Sequence, residues 1–151
     1  MDTLVRNAAQ KQWEQRWRID RGRCALGDRK IILKDWKWTR LKDRFLDVAI
    51  TRLRVGVCRL KYYMHKMKMA DSPLCQKCTL NTEETVTHLL LECPDLYNQR
   101  RILKDKLRQY GIVQITTDIL LGYSNEEESV KYKITEALGM FLKTSNRLAD
   151  I

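Results

Sequence analysis

The feature that most constrains this chain is a short run of metal-ligand residues. Cys75-Gln76-Lys77-Cys78 is followed by nine residues, then His88, then four residues, then Cys93. Three thiols and one imidazole at C-x2-C-x9-H-x4-C spacing make the donor set of a tetrahedral Zn2+ site. The set supplies four protein ligands and keeps no position for water. The metal is therefore expected to fold the chain, not to make a hydroxide nucleophile or polarise a substrate. The chain has five cysteines, and Met1-Asp2-Thr3-Leu4-Val5-Arg6 shows no basic stretch followed by an apolar run. Reduced thiols, an intracellular (nuclear or cytoplasmic) setting and metal ligation are expected before disulfides.

The residues around the motif bear on its geometry. Asp71-Ser72-Pro73 is turn material that delivers the first thiol pair. Asn81 or Thr82 is placed to cap a short helix with Glu83 and Glu84 in its first turn and Val86, Leu89 and Leu90 as its apolar stripe. His88 and Cys93 stand five residues apart, about 140° around an α-helix, so they converge only if α geometry stops between them. Pro94 disfavours α geometry at Cys93 and is expected to stop it.

Elsewhere the periodicity reads as helix. In residues 3–20, Leu4, Val5, Ala8, Ala9, Trp13 and Trp17 recur at three and four. The two tryptophans form either a packing ridge or a pair of stacking platforms. Residues 21–38 read as a loop containing Trp36 and Trp38. A helix over 39–55 is expected to bury Leu41, Phe45, Val48 and Ala49, with Gly56 ending it. Arg52 then falls on the apolar stripe and needs a partner, either a carboxylate, backbone carbonyls or a phosphate. Residues 59–69 interleave cations with Tyr62, Tyr63 and methionines. Pro94 opens a helix through Leu96, Leu103 and Leu107 to Gly111, with Arg100, Arg101, Lys104, Lys106 and Arg108 on its solvent side. Asn125, with Glu128 three residues on, reads as the capping box of a last helix bearing Val130, Ile134, Ala137, Leu138, Phe141 and Leu142. The expected architecture is all-α, a small helical domain with a zinc-stapled turn between helices. It divides into an arm over 1–38, made of a helix and a loop, and a helical zinc-binding domain over 39–151.

Charge separates the two halves. Residues 1–70 hold 19 Lys and Arg against 7 Asp and Glu, whereas residues 71–151 hold 10 against 12. A one-sided excess favours a polyanionic partner, because neutralising phosphates releases condensed counterions. Arg52, Arg54, Arg59, Lys61, Lys66 and Lys68 are the candidate RNA or DNA contacts, since cations and aromatics interleave there. The alternative is a module for protein–protein interaction or assembly whose tryptophans and methionines dock a partner. No run of about 18 apolar residues marks a membrane span, and no small-molecule substrate is indicated.

Several segments together resemble a known family. These are Trp13, Trp17 and Gly22-Arg23, then Thr51-Arg52-Leu53-Arg54-Val55-Gly56, Arg59-Leu60, Ala70 to Cys78, Glu84 to Pro94, Arg100-Arg101 and Phe141 to Leu148. In order and motif they resemble the carboxy-terminal tail of non-LTR (LINE-type, jockey-like) retrotransposon reverse transcriptases. The resemblance implies a CCHC cluster that binds zinc and a segment that holds template RNA or target DNA. The chain has no Tyr/Phe-x-Asp-Asp polymerase box, its adjacent acidic residues being Glu83-Glu84 and Glu126-Glu127-Glu128. A non-catalytic binding module is therefore expected.

Overall fold

The computed structural model describes residues 3–20 and 40–151, and the chain divides into two compact units, Met1–Lys37 and Trp38–Ile151. The described residues are all-α: apart from one isolated bridge, Leu74 with Glu83, they hold no strand. No helix among them is long and apolar enough to cross a membrane. The loop reading of 21–38, with Trp36 and Trp38, lies outside the described residues.

In the first unit, helix α1 spans Thr3–Asp20, the length that its apolar recurrence implies. Val5 and Trp13 are exposed along it, and Trp17 is half-buried.

In the second unit, α2 (Arg44–Val55) begins where Asp43 accepts hydrogen bonds from the backbone N–H groups of Phe45 and Leu46. That cap starts the helix several residues later than the expected Thr39. Gly56 ends it at φ +71, in the left-handed region that glycine enters without strain. The buried face is Leu46, Ala49, Ile50 and Leu53, one step round from the stripe read off the sequence. Phe45 is 82% exposed and Val48 is also exposed. Both registers are amphipathic; α6 selects between them. At Gly139 of α6 a Cβ would lie 3.0 Å from Leu46 Cδ1 and 3.2 Å from Leu41 Cδ1, so the missing side chain lets α2 approach.

Helix α3 (Lys61–Lys66) is short, and α4 (Tyr97–Arg108) follows a 3-10 turn, Pro94–Leu96, with proline at its start. Leu96, Leu103 and Leu107 are buried, as their spacing requires. α5 (Thr117–Leu120) is a single turn capped by the Thr116 hydroxyl. α6 (Glu128–Thr144) buries Ile134, Ala137, Leu138, Phe141 and Leu142 against α2, α4 and α5. Its N-terminus departs from the expected capping box: Glu127 occupies the cap position, with no side-chain hydrogen bond. A closing 3-10 turn, Leu148–Asp150, returns the chain to α2, where Arg52 Nη1 donates to the Ile151 carbonyl at 3.3 Å.

Candidate metal centre

Cys75, Cys78, His88 and Cys93 converge, with their ligand atoms all within 4.8 Å of one another, and can hold a metal ion. A tetrahedral ion with metal–sulfur bonds of about 2.3 Å has donor–donor edges near ~3.8 Å, so the four fit one ion. Cys78 Sγ and His88 Nε2, at 3.5 Å, already sit at such an edge. Cys75, His88 and Cys93 are buried and Cys78 is half-buried, which closes the set to bulk water on most sides.

Two local devices build the cluster. The first is a hairpin-like turn: Cys75 N–H donates to Thr82 O, Glu84 N–H donates to Pro73 O, and Leu74 bridges Glu83. This turn keeps Glu83 and Glu84 out of helical geometry, with Thr85 N–H donating to Glu83 O at 2.9 Å, so the helix does not start at Asn81 or Thr82. Thr85 takes the capping role instead, its hydroxyl accepting from the His88 N–H at 3.1 Å.

The second device joins His88 to Cys93. The chain does not simply leave the helix between them; it widens into a π turn over His88–Glu92, with Cys93 N–H donating to His88 O at 2.8 Å. An i→i−5 bond adds a residue to the turn, bringing residues five apart to nearly one face. Cys93 then leaves helical geometry at ψ +117, as the following proline demands.

Around the ligands, His88 Nδ1 lies 3.2 Å from Thr82 Oγ1 and 3.7 Å from Glu92 Oε2. With Nε2 on a metal, Nδ1–H would donate to Thr82 Oγ1 and fix the ring, with the Glu92 carboxylate close by. Burial pushes the Cys75 thiol upward and, with Cys75 and Cys78 nearby, raises Cys93 to about 11. A metal must displace those protons in order to bind.

Two buried arginines support the site, one expected elsewhere and one that the sequence reading did not single out. Arg100 was expected on the solvent side of α4, but it is only 6% exposed and donates Nε to Leu90 O (3.0 Å) and Nη2 to Cys93 O (2.8 Å). It thus bonds two carbonyls at the end of the π turn, of which that of Cys93 also accepts from the Leu96 N–H at 3.2 Å. The signal was present: Arg100 stands four residues after Leu96 and three before Leu103, on the apolar stripe. Arg147, buried at 3%, ion-pairs with Glu84, itself 4% exposed, and Arg147 Nε lies 2.8 Å from Asp150 Oδ2. Glu84 Oε2 also accepts from the Lys61 N–H at 2.8 Å, and Oε1 is 3.7 Å from Cys75 Sγ. Burial pulls the Arg147 guanidinium down, but Glu84 and Asp150 together hold it above its ordinary value. No periodicity announces a pair 63 residues apart.

The expected nucleic-acid residues do not form one set. Arg59, Lys66 and Lys68 are exposed and Lys61 is half-buried, all on or beside α3. Arg52, also exposed, is held by the C-terminal carbonyl. Arg54 is a correction: at 3% exposure it donates Nε to Leu121 O at 2.9 Å, and burial lowers its pKa. It lies four residues after buried Ile50, inside the core-facing stripe, and belongs to the fold. Comparison of the chain with protein-family models, with curated proteins and with solved structures finds no match.

Proposed function

We propose that this chain is a non-catalytic nucleic-acid-binding module in which Zn2+ on Cys75, Cys78, His88 and Cys93 holds a basic surface in shape. In this reading it is of the kind found in the tail of non-LTR retrotransposon reverse transcriptases. Zinc is the metal of choice for three thiolates and an imidazole in a closed tetrahedron. When bound it supplies folding free energy, not chemistry.

The observation that carries the reading is a groove of about 360 Å³ between α3, the Cys75–Cys78 turn and the closing 3-10 turn. Arg59, Lys61 and Lys77 line it together with Met64 and Met69. Its two carboxylates, Glu84 and Asp150, are both engaged by Arg147. Against these two carboxylates stand Arg147, Arg59, Lys61 and Lys77, so the groove is positive on balance, and one of its cations rides on the metal-binding turn itself. Arg59, Lys61, Lys66 and Lys68 are then the phosphate contacts on this side.

The test is metal analysis followed by anisotropy titration of labelled RNA and DNA at several salt concentrations. One zinc per chain and steeply salt-dependent binding are expected, with the log–log slope falling by about one unit per phosphate contact removed. A zinc-free folded protein, or binding indifferent to salt, overturns the proposal; the second outcome favours an apolar protein interface.

A further inference from the structure

A second basic groove, lined by a different set of residues, lies in the half of the chain whose net charge is slightly negative. It has a volume of about 550 Å³ and runs along α4, with Leu91 of the π turn as one wall. Tyr97, Arg101, Lys104 and Arg108 line it. The cations stand three and four residues apart, so they form a row rising about 4.5 and then about 6 Å along the helix axis. A stacked strand advances about 3.4 Å per nucleotide, so the row spans roughly three phosphates.

Tyr97 stands one turn before Arg101 on the same face and is 64% exposed. An exposed ring beside a row of cations has the composition of a base-stacking platform. The acid in the groove, Asp105, bonds Arg108 at 3.0 Å with both side chains well exposed, an arrangement that costs little to open. Arg101 and Lys104 have no carboxylate partner among the described residues. Beneath them Arg100, its guanidinium committed to Leu90 O and Cys93 O, adds positive charge to the floor and ties the groove wall to a metal ligand.

We propose that the Tyr97–Arg101–Lys104–Arg108 face of α4 is a binding site for single-stranded nucleic acid, with phosphates along the cation row and one unpaired base on Tyr97. This inference rests on the nucleic-acid reading above and gives it a second, separate surface. A duplex keeps its bases stacked inward, so only a single strand can use both the cations and the ring. The wall contributed by the π turn makes the site dependent on the metal, although no metal ligand touches the strand.

The experiment titrates the zinc-loaded full chain with labelled 12-nucleotide oligo-rU, oligo-dT and a 12-base-pair duplex across a salt series. Arg101→Gln with Lys104→Gln is expected to weaken single-strand binding at least tenfold at low salt. The log–log slope should fall by about 1.4, at roughly 0.7 per lost contact. Tyr97→Leu is expected to weaken single strands fivefold or more with the slope unchanged and duplex binding barely altered. The rU and dT arms tell RNA from DNA. A parallel variant, Lys66→Gln with Lys68→Gln, probes the α3 side. If it weakens binding while the α4 variants match wild type, the α4 site is refuted and the proposed function stands. If wild type binds none of the three oligonucleotides, both fall. Should an α4 variant misfold, photocrosslinking of 5-iodouracil oligonucleotide to the wild-type chain decides: adducts at Tyr97 support the site, and adducts confined to residues 59–69 overturn it.

Discussion

Replacing Arg147 by methionine tests whether the buried pair with Glu84 holds the metal-binding turn to the end of α6. Both side chains are almost fully buried, so the substitution strands a carboxylate inside the fold. Glu84 then keeps only the Lys61 N–H, at 2.8 Å, and the neighbourhood of the Cys75 thiol. Breaking one side of such a pair costs about 3–5 kcal/mol, because the desolvated charge has lost its counterion. For a chain of 151 residues that lowers Tm by about 10 °C, at roughly 2–4 °C per kcal/mol. Adding Glu84→Gln removes the stranded charge while its amide oxygen still accepts from Lys61. The double variant should recover at least half of the loss, a coupling of about 2 kcal/mol. Urea denaturation of the zinc-loaded chain, read by circular dichroism with constant m-value, measures all four corners of the cycle. An Arg147→Met variant within about 0.5 kcal/mol of wild type refutes the reasoning, as does a double variant as unstable as the sum of the singles.

Other expectations follow from the same geometry. Burial raises the Cys93 thiol from its ordinary value of 9.0 to about 11 in the metal-free fold, so between those values the unfolded chain binds fewer protons. Metal-free stability should thus fall as pH rises through that window. The zinc-loaded form, already in thiolate state, should not show this loss; parallel melts of chelated and loaded protein at pH 8.5 and about 10.5 compare them. Arg54→Met should cost about 1–3 kcal/mol by orphaning the Leu121 carbonyl, yet leave the salt slope of nucleic-acid binding unchanged. A slope reduced by one unit would instead make Arg54 a phosphate contact. Arg100→Met should destabilise by a similar amount and speed zinc loss to a chromogenic chelator, since it strips the Leu90 carbonyl of its guanidinium partner and leaves that of Cys93 with only the Leu96 N–H; unaltered zinc release would show that the π turn holds itself. The purified chain should neither extend a primer nor cleave RNA or DNA with Mg2+. Any such activity abolished by mutating one of its own carboxylates contradicts the closed-site argument.

Features that depend on neighbours along the chain are legible in the residues alone. The spacing of Cys75, Cys78, His88 and Cys93 was enough to identify four residues that the structure brings together. Pro94 marked the end of helical geometry at Cys93, and the stripes of α4 and α6 named their buried leucines. Each of these signals is periodic or local, within reach of a helical turn or a tight turn. The rest needed the packed chain, because it involves a choice between equally good local patterns or a partner far off in sequence. α2 is amphipathic in two registers a step apart, and the approach of Leu46 to Gly139 chose one. The expected cap at Asn81 or Thr82 yielded to Thr85 because the backbone bonds of the cysteine turn keep Glu83 and Glu84 out of helical geometry. Arg54 and Arg147 look like surface cations from composition. Their acceptors, Leu121 O and Glu84, stand 67 and 63 residues away, and a buried charge can be recognised only once the group that neutralises it or bonds it is in place.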